Sequence, residues 1–306
     1  MKCLIIKSDE NQFERFYNEK MNFYGVDVKN YRVFRNTNSD TNKLIKLFEY
    51  LVKLIFPFSK NKYKKYDTII VFDDEKVVPL IYRLKSKDTK LILWNWNIVS
   101  HKRANRENVF KNRCQIWTFD KSDAEKYGWK CNEQFYFKPE KEMARINNDT
   151  QRAFCACVDK GRYKMMKEIY VELRKANISC DFFCVKDNNK AYEDIDDIDN
   201  FLVDKLLPYK DFLEHVKKSD IIVDIVQEGQ DGLTVRVLEA LFYNKKLITN
   251  NKSIVNMPFY NSYIYIYGYD NNISFSEFLQ LRGCKYDEEA KRRYTFESWL
   301  ANFEFN

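Results

Sequence analysis

The feature that most constrains this chain is an alternation of short apolar runs with longer helix-period stretches, present once in each half. Parallel α/β layers combine both patterns in this order. In the first half, residues 3–6, 68–72, 90–94 and 116–119 read as strands, and 41–56, 77–84 and 122–127 as helices. The helix over 41–56 rests on Leu44, Ile45, Leu47, Phe48, Leu51, Val52, Leu54 and Ile55, spaced for one apolar face. The pattern restarts in the second half, with strands at 153–158, 179–185, 221–226, 247–249 and 263–267. Helices are expected there at 162–176, 211–218 and 234–243, and a last helix over 288–303 carries Phe296, Trp299, Leu300 and Phe303 on its apolar face.

With 306 residues, the chain suits two domains of about 150 residues each. The polar segment 138–152 is the best linker. Hydrophobic residues at 45% and charged residues at 32% exclude wholesale disorder. The first residues are too briefly apolar for a signal peptide, and the apolar stretch at 51–58 is far short of a membrane span. A cytoplasmic protein is therefore expected. The net charge of +7 admits a nucleotide, an anionic lipid surface or a nucleic acid as partner. For nucleic acid, charge is the only support, since no Gly-flanked aromatic motif is present. Eight cysteines form no CxxC pair, and Cys155, Cys157 and Cys184 stand inside apolar runs, as small buried hydrophobes do. With two histidines and no paired-ligand spacing, no metal cluster is expected. The acidic stretch 194–199 matches an Asp-x-Asp metal motif literally but reads as a charged loop.

The strongest local signal follows the strand at 221–226, where a Gly-containing turn leads to a helix carrying Arg236 and Glu239 in its first two turns. Ligands of open α/β sheets bind outside the carboxyl ends of strands, where helix N-termini face outward. Arg236 suits a phosphate oxygen, and Glu239 the paired hydroxyls of a ribose. The plain alternative is that Asp231 or Thr234 caps the helix and Glu239 is solvated. Lys160-Gly161-Arg162, between a strand and a helix, reads as a pyrophosphate grip or as an ordinary turn with two solvated cations. In the first half, Asp73, Asp74 and Glu75 follow a buried strand; one of them is either a general base for an acceptor hydroxyl or a helix cap. His101 and the basic runs 60–65 and 101–113 read as solvated faces that could also attract an anionic membrane.

The segment Gln230-Asp231-Gly232-Leu233-Thr234-Val235-Arg236-Val237-Leu238-Glu239-Ala240-Leu241, followed by Lys245-Lys246-Leu247-Ile248-Thr249-Asn250-Asn251, is similar to bacterial capsule and lipopolysaccharide biosynthesis proteins. It also resembles the donor-site helix of GT-B glycosyltransferases, in which two carboxylates eight positions apart bracket a glycine; here they are Asp231, where the family has Glu, and Glu239. Val158-Asp159-Lys160-Gly161-Arg162-Tyr163, Thr118-Phe119-Asp120 with Asp123, Tyr127-Gly128 and Leu93-Trp94-Asn95-Trp96-Asn97 resemble further landmarks of that family.

The resemblance implies two Rossmann-like α/β domains facing a cleft: an acceptor-binding domain over 1–148 and a nucleotide-sugar-binding domain over 149–287. A helix over 288–306 would cross back over the junction. It implies transfer of a sugar from a nucleotide-sugar donor to a saccharide acceptor, with no other cofactor. Lys160, Arg162, Arg236 and the helix dipoles, available to neutralise the leaving diphosphate, favour a mechanism without metal, and the basic runs admit a lipid-linked acceptor at the inner face of the membrane. Lys160, Arg162, Gln230, Asp231, Gly232, Thr234, Arg236 and Glu239 would bind the donor, and Asp73 or Asp74 would serve catalysis. Whether the sugar configuration is retained or inverted stays open. A non-catalytic nucleotide-binding or scaffolding subunit of a polysaccharide assembly is the alternative.

Overall fold

A computed structural model describes residues 2–30, 60–139, 150–187, 190, 192 and 201–305. The expected helix over 41–56, the apolar stretch 51–58 and the acidic stretch 194–199 lie outside the described residues. The chain forms two compact units, Met1–Asn132 and Glu133–Asn306.

The first unit contains β1 (Cys3–Lys7), α1 (Gln12–Phe23), β2 (Asp27–Asn30), α2 (Lys60–Lys64), β3 (Thr68–Phe72), α3 (Val78–Leu84) and β4 (Lys90–Asn95). It continues with α4 (His101–Asn108), β5 (Gln115–Thr118), α5 (Lys121–Tyr127) and β6 (Lys130–Cys131). Its parallel sheet runs β2-β1-β3-β4-β5-β6. β1 and β3 are buried at every residue, as expected of strands covered on both faces. α5 shows how sequence sets its limits. The Asp120 carboxylate accepts from Asp123 N–H at 3.0 Å at its start, and Gly128 supplies a left-handed residue (φ 65°) at its end.

The second unit contains β7 (Arg152–Val158), α6 (Tyr163–Lys175), β8 (Ser179–Val185), β9 (Leu202–Val203), α7 (Tyr209–Lys218), β10 (Ile221–Asp224) and α8 (Val235–Phe242). β11 (Lys246–Thr249), β12 (Ile264–Ile266), α9 (Phe275–Gln280), α10 (Glu288–Arg292) and α11 (Phe296–Phe305) complete it. The sheet is parallel with order β12-β11-β10-β7-β8-β9.

Two expectations are corrected. The single helix over 288–303 is two, α10 and α11. At the break, Tyr136 N–H donates to the Tyr294 carbonyl at 2.9 Å and Phe296 N–H to the Tyr136 carbonyl at 3.1 Å, so this backbone serves segment 135–137 instead of a helix. Phe296 and Trp299 then pack on Phe135, with ring centroids 5.1 and 4.4 Å away. The basic run 101–113 begins as α4, and one of its cations is paired rather than solvated, Arg103 with Asp73 and Glu107; Arg106 pairs with Glu75 but stays exposed. His101 is exposed, as expected. Among the described residues no helix is long and apolar enough to cross a membrane.

Candidate functional site

Numbered along its own unit, the second sheet has the strand order 3-2-1-4-5-6 reversed, so the chain changes direction between β7 and β10. Such a crossover opens a crevice at the carboxyl edge, because the loops leaving the two strands diverge to opposite faces. The segments there are the turn from β7 into α6 and the loop from β10 into α8.

The first turn is built on Asp159, which is fully buried. One of its oxygens accepts from the N–H groups of Gly161 (3.1 Å) and Tyr163 (3.0 Å), the other from Lys190 Nζ (2.9 Å) and the Tyr192 hydroxyl (2.7 Å). Burial pushes this carboxyl up, but the four donors outweigh it and hold the group below its ordinary value. Lys160 (φ 38°) and Gly161 (φ 88°) are both left-handed, a conformation that costs a non-glycine residue roughly 1–2 kcal/mol. That geometry sets Arg162 at the mouth of α6, where its Nη1 donates to the Val158 carbonyl at 3.1 Å. Its Nε is buried and has no hydrogen-bond partner. The Lys160 side chain is exposed.

On the other side, β10 ends in Asp224, 4% exposed, with one oxygen bonded by the Thr234 hydroxyl and Oδ2 buried without a partner. Burial pushes this carboxyl up to about 6, against the pull of Thr234, Arg236 and Arg162. Both guanidiniums therefore act on one carboxylate, and Thr234 also caps α8, accepting from Val237 N–H at 3.4 Å. Arg236 lies over the Phe212 ring, 3.8 Å from its centroid, and its Nη1 donates to Glu239 Oε2 at 2.8 Å. Glu239 is fully buried, and its Oε1 accepts the Tyr209 hydroxyl at 3.0 Å. Burial raises its pKa while Arg236 and Tyr209 oppose the rise. Glu239 thus stands behind Arg236 and fixes it.

The loop between β10 and α8 is tied to the strand beside it. Asn250 closes on both backbone groups of Val226, at 2.7 and 3.1 Å. Asn251 Nδ2 and Ser253 Oγ donate to the Asp231 carbonyl at 3.2 and 2.7 Å. Gln230 Nε2 donates to the Gly232 carbonyl at 3.3 Å, Gly232 is buried, and Asp231 is exposed.

In the first unit the corresponding crossover lies between β1 and β3. Asp73 follows β3 in a left-handed conformation (φ 52°). Its Oδ1 accepts from Trp96 N–H (3.0 Å) and Arg103 Nη2 (3.1 Å), and its Oδ2 from Asn97 Nδ2 (3.1 Å). Burial nevertheless raises its pKa. Arg103 also donates to Asn95 Oδ1 (2.7 Å) and buried Glu107 (2.6 Å), and Asn95 Nδ2 closes the ring onto Glu107 at 2.7 Å. Asp74 is buried and caps the following turn, accepting from Lys76 N–H at 3.2 Å. Lys7, at the end of β1, has its Nζ 3.9 Å from Glu14 and 5.4 Å from the Trp96 ring centroid; burial pushes it down to about 8.

Of the residues singled out by sequence, Arg162, Thr234 and Arg236 come together around Asp224, with Glu239 behind them. Gln230, Asp231 and Gly232 form the neighbouring loop, Lys160 stands exposed in the adjacent turn, and Asp73 and Asp74 belong to the other unit. Sequence reasoning gave no role to Asp224, Asp159, Phe212 or Tyr209. Asp159 is detectable as an acidic residue after an apolar strand, whereas Asp224 lies inside the run 221–226 that reads as strand; the two rings sit where only the folded chain brings them. Among the described residues no group of three or more His, Cys, Asp or Glu is arranged to hold a metal ion.

No protein-family model and no curated protein matches the sequence. Solved structures do. The chain is similar to the lipopolysaccharide outer core galactosyltransferase WaaB in its apo form, with 11% identity and a TM-score of 0.50 over 99% of this chain and 98% of that one. It is also similar to AviGT4, a glycosyltransferase involved in avilamycin A biosynthesis, with 9% identity and a TM-score of 0.56 over 99% of this chain and 96% of that one. At these identities what is shared is architecture, and with two parallel sheets accounting for both units the chain has the GT-B glycosyltransferase fold.

Proposed function

We propose that this protein transfers a sugar from a nucleotide-sugar donor to a saccharide acceptor, free or lipid-linked, in surface polysaccharide or lipopolysaccharide synthesis. The observation that carries the reading is the convergence of Arg162 and Arg236 on the crossover of the second sheet. Two helices start at that edge, and an N–H of one guanidinium is left unbonded there. A buried donor with no acceptor costs roughly 1–3 kcal/mol, a cost that a ligand oxygen would remove.

When the sugar leaves, negative charge builds on the diphosphate. Arg162 and Arg236 are already oriented to stabilise it, the first by the Asp159 turn and the second by Glu239 and Phe212. Cations held in this way supply what a metal ion supplies elsewhere, which supports transfer without one. Glu239 has both oxygens engaged, so its role is to hold Arg236, and a ribose contact would require it to exchange a partner. Gln230, Asp231 and Gly232 would border the sugar, and Lys160 would reach the outer phosphate. In the first unit, Asp73 is the better placed base for an acceptor hydroxyl, since its carboxylate is partly exposed and its pKa is raised, whereas Asp74 is spent on a cap. The basic face around α2 would suit an anionic membrane.

A second reading, nucleotide binding without transfer, draws on one observation: both Asp73 oxygens already accept hydrogen bonds. One assay separates the two. A panel of uridine-, guanosine-, thymidine- and cytidine-activated sugars is scored for thermal stabilisation and for nucleotide release. Stabilisation with release supports transfer, stabilisation alone supports the second reading, and neither with any donor contradicts both.

A further inference from the structure

Three thiols meet on the sheet of the second unit. Cys155 and Cys157 stand two residues apart on β7 and so on one face. Cys184 on β8 is in direct register with Cys157. All are free; Cys155 and Cys184 are buried and Cys157 is half-buried, its Sγ 3.8 Å from Met166 Sδ. The charges of Arg162 and Arg236 act on Cys157, which in turn acts on Asp224. The neighbouring thiols Cys155 and Cys184, with the charges of Arg162 and Arg236, pull the Cys157 thiol well below its ordinary value, while Cys157 and burial push Cys184 up.

We propose that Cys157 and Cys184 form a hydroperoxide-sensitive pair, with Cys157 as the attacking thiolate and Cys184 as the resolving thiol. The Cys157 thiolate attacks a peroxide oxygen; the O–O bond breaks, Cys157 becomes a sulfenic acid, and the departing hydroxide or alkoxide takes a proton from solvent and leaves as water or an alcohol. The Cys184 sulfur then attacks the sulfenic sulfur, the S–O bond breaks, and hydroxide leaves with the Cys184 proton as water. Two thiols lose two electrons in all, and one peroxide gains them.

Spacing selects the partner. Neighbouring strands lie about 4.8 Å apart, inside the roughly 4.4–6.8 Å between Cα atoms that a disulfide spans. Cys155, two residues along the same strand, is ~6.6 Å away by strand geometry, at the outer limit. Exposed Cys131 is in register with Thr118 rather than with a second thiol. Oxidation would remove a negative charge from below two guanidiniums and so strengthen the hold on an anion. That consequence rests on the diphosphate reading; the thiol chemistry does not.

The test treats the folded full-length protein with hydrogen peroxide at pH 6, blocks remaining thiols by alkylation and maps peptides by mass spectrometry. The expected first product is a Cys157–Cys184 cross-link. Cys157→Ser should abolish it with unchanged thermal unfolding, and Cys184→Ser should leave a sulfenic acid at position 157 that dimedone traps. Oxidation of Cys131 ahead of Cys157, or an unmodified Cys157 until the protein unfolds, would overturn the proposal. No nucleotide enters the measurement, so its outcome is independent of donor binding.

Discussion

At the crossover between β1 and β3, Asp73, Arg103, Asn95 and Glu107 close on one another. At the crossover between β7 and β10, Arg162 Nε and Asp224 Oδ2 are buried and bonded to nothing. Both places have the same construction: a parallel sheet, a change of direction, an acidic residue after one strand and a guanidinium near a helix start. The difference is whether the charges find partners within the chain. Complete pairing makes a rigid edge whose groups are worth most as a set. Incomplete pairing makes an edge that is costly until a ligand completes it, as a binding site for an anion must be. Glu239 repeats the first arrangement inside the second, since its pairing with Tyr209 and Arg236 leaves Arg236 fixed beside the crevice.

This contrast can be broken most forcefully at Glu107. Glu107→Ala leaves Arg103 and Asn95 without their buried acceptor and should lower stability by about 3–5 kcal/mol, read by urea unfolding. A loss under about 1 kcal/mol would mean that the first edge is not held by its own charges.

Asp224→Asn tests the second edge through pH. The folded carboxyl titrates at about 6 rather than at its ordinary 3.8, so the stability this group contributes is full below the ordinary value and is lost as pH rises through about 6. The asparagine variant should therefore match the parent near pH 4 and gain on it toward pH 8, by about 3 kcal/mol at most. Thermal unfolding across that range checks it, and a gap that does not grow with pH would show that Asp224 is not desolvated. Thr234→Ala should cost about 1 kcal/mol through the lost cap, and Thr234→Ser almost nothing. Arg162→Ala should change stability least, by about 0.5 kcal/mol, because one weak bond to Val158 and one unbonded N–H disappear together.

Much of the architecture was legible in the sequence because buried parallel strands are continuous apolar runs, as in β3 and β10, which no polar periodicity obscures. β2 was not, because Asp27-Val28-Lys29-Asn30 is a polar edge strand. Nor was α4: its apolar positions are few, and a run rich in Lys and Arg looks solvated until Glu107 and Asp73 arrive to pair with it. The helix-start residues Arg162, Thr234 and Arg236 were legible through local chemistry, spacing and resemblance. Phe212 and Tyr209 reach the site from a helix whose sequence gives no sign of it, and Asp224 looked like one more strand residue. By sequence Cys157 reads as a small buried hydrophobe, which describes Cys155 and Cys184 but omits the two arginines whose charge acts on it.

The proposed diphosphate site at the second unit's crossover stands or falls on nucleotide binding. Calorimetric titration of nucleoside diphosphates into the parent protein and Arg162→Ala tests it directly. At least one nucleotide should bind the parent, and the variant, equally stable, should bind it at least about tenfold more weakly, the worth of one charged hydrogen bond. Equal affinity in the two proteins, or a parent that binds none of the nucleotides, would contradict it.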